Sequence, residues 1–171
     1  MGLCLTVECV FETPILWFSG RVLLAIGEQR MLAVVMATYA VRLAAYAALP
    51  SLGNPVYILA IEPLHGVTFG LMWTAGVSYA NKLAPEGFER SMQATYGAAM
   101  TGGGVVGLVA FGGLYSAAGG PATFATAAAL MAVAAACYAA LAPPAPSEPA
   151  AFPAAEVYAA VEDGVEMGEG V

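Results

Sequence analysis

Five side chains that can carry charge stand inside stretches that are otherwise apolar: Glu8, Glu12, Arg42, Glu62 and His65. A charged group at the centre of a bilayer costs about 2.5–3.5 kcal/mol on insertion scales, so each of these needs a partner or a task. Glu8 and Glu12 are four residues apart, on one helical face, and Pro14 follows them. Glu62 and His65 are three apart, with Pro63 between them. Proline removes a backbone donor and kinks a helix where it falls. Arg42 shares its face with Tyr39 and Tyr46. The pattern points to a pairing of Arg42 with Glu62 or Glu12. Such a set can line a polar cavity for a solute or for protons, because a carboxyl group there can release and rebind a proton. A second reading stays open: an ion pair that only holds helices in register. His65 fits a satisfied core histidine as well as a pathway residue, and Glu8 fits a place near the outer interface.

Other chemistries find little support. One histidine cannot build a zinc site, no metal-ligand cluster is present, and no Ser/His/Asp arrangement has a plausible order. Cys4, Cys9 and Cys137 have no metal or redox spacing and read as packing residues. Enzyme activity and a bound cofactor are not expected. With 5 Lys+Arg in the chain, nucleic-acid binding is not expected either. Gly102-x-Gly104-x-x-Gly107 matches a dinucleotide fingerprint, but no strand precedes it and no acid follows at the required distance. The overlapping Gly103-x-x-x-Gly107 suits close helix packing in lipid. Met1-Gly2 with Thr6 fits a myristoylation pattern, but the same residues start an apolar helix.

The elements that must position these residues are apolar helices. The chain has 171 residues, 60% of them hydrophobic and 10% charged, with a mean hydropathy of +0.78. Soluble domains carry about 25% charged residues, so a polar-coated globule is excluded. The formal charge of −7 is uneven: residues 148–171 hold six acids and no base, which leaves −1 for the rest. No Asp, Glu, Lys or Arg occurs from Ser91 to Ser147, 57 residues. One transmembrane helix needs about 20 apolar residues, so this run holds two. Gly119-Gly120-Pro121 divides it, a helix stop followed by a start.

The reading is therefore all-α integral membrane, with spans at about 3–25, 30–49, 55–81, 91–117 and 121–142. Arg21 and Arg30 flank the first connection, Lys82 and Arg90 the third. The second and fourth connections carry no charge. The positive-inside rule then puts the N-terminus out and the C-terminus in. Residues 143–171, rich in Ala, Pro and Glu, are expected to form a disordered acidic cytosolic tail.

Several strings carry a resemblance. They are Glu12-Thr-Pro14-Ile-Leu-Trp-Phe-Ser19-Gly20, Ala40-Val-Arg42-Leu-Ala-Ala-Tyr46, and the stretch from Glu62-Pro-Leu-His65-Gly66 through Trp73 to Ala80. With Ala94-Thr-Tyr96-Gly97 and the glycines from Gly102 to Gly113, they resemble the C-terminal half of a major facilitator superfamily transporter. The branch most similar is the domain-containing-protein-6-like group, related to sugar and nucleoside proton symporters. The resemblance covers about residues 3–142 and implies helices eight to twelve of twelve. It implies solute transport between two six-helix halves, with Glu12, Arg42, Glu62 and His65 near the cavity. It also implies that the N-terminal half and helix seven are missing. The expected partners are the bilayer, a small organic solute, protons in a symport variant, and the missing half or another membrane subunit. Plasma and internal membranes fit equally. The rival readings are a structural or regulatory membrane protein packing through Gly103 and Gly107, or an inactive fragment.

Overall fold

The computed structural model describes residues 2–141. Among these residues every regular element is helical. Helix α1 covers Gly2–Ala48, α2 Ile58–Ile61, α3 Pro63–Gly66, α4 Met72–Leu83 and α5 Glu89–Leu141. A π-helical segment, Val67–Leu71, joins α3 to α4. Three runs, Gly2–Leu52, Pro55–Leu83 and Glu89–Leu141, are long and apolar enough to cross a membrane. The acidic tail and the last residue of the final expected span lie outside the described residues.

Two of these runs are each broken once. Gly27 in α1 has φ 75° and ψ 165°, and Gly119 in α5 has φ 80° and ψ 172°. This region is essentially open to glycine alone. Each break divides its helix into two arms: 2–26 and 28–48 in α1, 89–118 and 120–141 in α5. Pro121 falls in the first turn of the last arm, where its missing N–H costs nothing. Pro14 sits inside the first arm.

The stretch expected as a single helix from 55 to 81 is segmented. It opens with a short 3-10 turn, Pro55–Tyr57, capped by the Asn54 side chain, which accepts from the Val56 N–H at 3.0 Å. Pro63 has no N–H to donate, and the backbone re-forms its bonds around it. Glu62 N–H donates to Ile58 O at 3.1 Å, His65 N–H donates to Glu62 O at 2.8 Å, and the Thr68 hydroxyl donates to His65 O at 3.0 Å. The chain then widens into the π segment.

The small core joins both arms of α1 to the π segment and α4. It holds Leu23, Met31, Val35, Leu71 and Ala75, with Ile15, Val22, Ile26, Leu32, Tyr39, Val67 and Met72 packed around them. Glycines allow the closest approaches. A methyl group on Gly66 would stand 2.8 Å from Ile15 Cδ1 and 2.9 Å from the Phe11 carbonyl oxygen. One on Gly76 would overlap the Tyr96 hydroxyl. The 89–118 arm is otherwise open, with Val105, Val106, Leu108 and Val109 all exposed.

Candidate functional site

The arms 2–26 and 28–48 and the interrupted Ile58–Gly66 stretch bring their ionisable side chains to one point. Arg42 is the centre. Its Nη2 donates to Glu62 Oε2 at 3.1 Å and to Glu8 Oε1 at 3.2 Å. Its Nη1 lies 2.8 Å from His65 Nδ1. Its Nε donates to the Tyr46 hydroxyl at 3.1 Å, and that hydroxyl donates to Glu62 Oε2, also at 3.1 Å. The guanidinium carbon lies 5.3 Å from the centre of the Tyr46 ring. Guanidinium has no acceptor, so His65 Nδ1 must accept.

The centre of the network is buried. The side chains of Arg42 and Glu62 are 10% and 5% exposed. Each buried polar side-chain atom among the described residues has a hydrogen-bond partner. Glu62 and His65, three residues apart around Pro63, both reach Arg42, at Nη2 and Nη1. Tyr46 lies one turn beyond Arg42 on the same face and fixes both guanidinium and carboxylate.

Of the four residues singled out as pathway candidates, the structure brings three together: Arg42, Glu62 and His65. Glu12 is half-buried and forms no ion pair or hydrogen bond with the described residues. Arg42 pairs with Glu62 and with Glu8 rather than with Glu12, because Glu8 lies one turn closer to Arg42 on the same face. His65 Nδ1 also lies 3.9 Å from Glu8 Oε1. Gly103 and Gly107 are not brought to a neighbour: a methyl group on either would meet nothing within 4 Å among the described residues.

Sequence reasoning missed a second polar cluster at the Gly27 bend. Glu28 Oε1 accepts from the buried Ser78 hydroxyl at 2.7 Å and lies 2.7 Å from Lys82 Nζ. Burial pushes the Glu28 carboxyl up, but the hydrogen bonds from Lys82 and Ser78 outweigh it and leave the carboxyl below the ordinary carboxylate range. The signal was present in the sequence: an acid placed beside the Arg21 and Arg30 connection, with Ser78 and Lys82 one turn apart near the next polar break. A third contact crosses the same packing, where the Thr74 hydroxyl reaches Ser19 Oγ at 2.8 Å. Among the described residues no group of three His, Cys, Asp or Glu is placed to hold a metal ion.

Long apolar helices around a largely buried charge network point to a helical membrane protein. The family model described as "MFS_1 like family" matches residues 1–126, and the chain belongs to that family. It is a major facilitator superfamily-like family of transporters, whose members are generally not enzymes. No curated protein and no solved structure matched the chain.

Proposed function

We propose that this chain is the C-terminal portion of a secondary transporter that moves a small organic solute, with a proton as co-substrate. The Arg42 network carries the reading. A chain that places Arg42, Glu62, Glu8, His65 and Tyr46 in hydrogen-bond contact at the meeting of apolar helices bears a large desolvation cost there. A site where solute or protons exchange partners with those groups accounts for that cost. The glycine breaks at Gly27 and Gly119 support five crossings. With Arg21, Arg30, Lys82 and Arg90 flanking alternate connections, N-out and C-in follows. The five crossings then stand for helices eight to twelve, and alternating access requires a second half rocking against them.

The test is uptake by the complete protein in membrane vesicles. Glu62→Gln and Arg42→Ala are expected to abolish solute accumulation while membrane insertion persists. Unchanged uptake in both variants refutes the role. An antibody against residues 148–171 tests the C-terminal assignment, which calls for a native band well above the 17.3 kDa of this chain.

One observation favours a second reading. A methyl group on any glycine from Gly97 to Gly113 would meet nothing within 4 Å among the described residues. Small-xxx-small faces associate helices in lipid, so a non-transporting protein could pack against a membrane partner there. Loss of a complex on Gly103→Leu, with no solute flux in any form, supports that reading over the first.

A further inference from the structure

A row of rings leads away from the Arg42 network. His65 and Phe69 stack at 5.7 Å between centroids, 11° from parallel. Phe69 and Trp73 follow at 6.3 Å and 15°. Tyr96, from the 89–118 arm, closes the row at 6.1 Å from Trp73 and 58°. Residues spaced by four in an α-helix drift about 40° per step, because four residues exceed one turn of 3.6. The π segment Val67–Leu71 lies between the rings, and its wider turn, about 4.4 residues, drifts the other way. The two drifts offset, and His65, Phe69 and Trp73 stay in one row.

That row is not core. Trp73 is 45% exposed and the His65 side chain 26% exposed. The packed face of the same stretch is elsewhere, at Gly66 and Gly70 against Ile15 and Leu16. Trp73 thus leaves nearly half of its surface open at one end of the row, and carboxyl groups stand at the other. Glu8 and Glu62 share a single guanidinium, and Glu12 has no polar partner among the described residues. Three carboxyl groups thus stand near a single guanidinium at this end of the row. Aromatic faces are negative as well. Both features disfavour an anion.

We propose that the row is a stacking wall for a flat-ringed organic cation. The solute's ring lies along Phe69 and Trp73, and its positive end points toward Glu62 and Glu8. This deepens the transport reading and rests on it for the solute's passage. The stacking itself is tested without flux.

The complete protein is placed in nanodiscs of zwitterionic phosphatidylcholine, which do not concentrate cations by charge. Trp17→Phe leaves Trp73 as this chain's reporter, and a Trp73→Phe control defines its signal. N-methyl-4-phenylpyridinium is expected to quench Trp73 saturably, at least tenfold below the concentration needed for 4-phenylbenzoate. Phe69→Leu should weaken the cation about fivefold, as loss of one cation–π face implies, and Phe69→Tyr should restore it. Equal or tighter binding of 4-phenylbenzoate overturns the proposal. So does an absence of saturable quenching in protein that elutes as a single folded species, or an unchanged affinity in Phe69→Leu. Saturable stacking without uptake of the cation would leave the wall standing and sink the transport reading. Uptake of another solute with Trp73 silent would do the reverse.

Discussion

Arg42 is the side chain whose removal should cost this fold most. Its guanidinium touches two carboxylates, an imidazole and a phenol, with all four contacts between 2.8 and 3.2 Å. Arg42→Met keeps much of the side-chain length and removes every donor. Glu62, 5% exposed, then loses its cation and keeps the neutral Tyr46 hydroxyl as a donor. Removing one partner of a buried pair costs about 3–5 kcal/mol, chiefly through the charge left behind. Glu62→Gln is milder, because the amide oxygen still accepts, and a hydrogen bond to a charged group is worth about 1.5–3 kcal/mol. The double variant leaves no orphaned carboxylate at position 62, so its cost should fall short of the sum by about 2 kcal/mol. Sodium dodecyl sulfate titration of the protein in mixed micelles, followed by circular dichroism, reads all three. A cost below about 1 kcal/mol for Arg42→Met, the level of an exposed ion pair, refutes the reasoning.

Further outcomes follow from single positions. Gly66→Ala should destabilise by about 1–3 kcal/mol in the same titration, since its methyl group meets the Phe11 backbone, which cannot turn aside. Gly103→Ala should lie within about 0.5 kcal/mol of the parent, because open space surrounds it. Gly27→Ala should cost about 1–3 kcal/mol, because φ 75° with ψ 165° is strained for any residue with a side chain. Glu28, which follows the Gly27 bend outside the expected spans, has a carboxyl lowered from its ordinary 4.5. A lowered folded-state value adds stability above pH 4.5, which is lost as the pH falls below 4.5 and through the folded value. Stability of the parent should therefore fall on acidification through that window, and Lys82→Met should flatten the fall.

Much of this arrangement was legible because the bilayer makes charge conspicuous. In a soluble chain Arg42 and Glu62 would be lost among dozens of ionic residues, whereas here they interrupt apolar runs and the energetic argument singles them out. The Gly-Gly-Pro string around Gly119 was equally plain, since glycine and proline act through the backbone alone. What escaped was register. Glu8 and Glu12 share a face, and sequence spacing cannot say which of two residues one turn apart stands level with Arg42. That depends on how α1 folds back at Gly27 and how deeply the first arm packs. The π segment was invisible for a related reason: no residue type demands it, and it arises where Pro63 has disturbed the ladder and Gly66 and Gly70 let the chain press on Ile15.

The uneven burial of the helices has a physical sense of its own. In water, exposed Val105, Val106, Leu108 and Val109 would drive collapse or aggregation, whereas lipid tails solvate them at no cost. The described residues therefore spend their close packing where polar groups need it. Gly66 and Gly70 let the segment bearing Glu62 and His65 close onto the first arm, and Ser19, Thr74, Glu28 and Ser78 stitch the same interface toward the Gly27 bend. The 89–118 arm touches this unit mainly through Tyr96 over Gly76 and Gln93 on Asn81 at 2.8 Å. Under the proposed transport reading, a packed charged unit beside a largely exposed, glycine-rich arm is a division of labour that suits alternating access. If it is used so, Gly76→Ala, which forces Tyr96 off its seat, should alter the exposure of Tyr96 to a collisional quencher while leaving the Arg42 contacts in place. An Arg42 network that rearranged together with Tyr96 would show instead that the two move as one body.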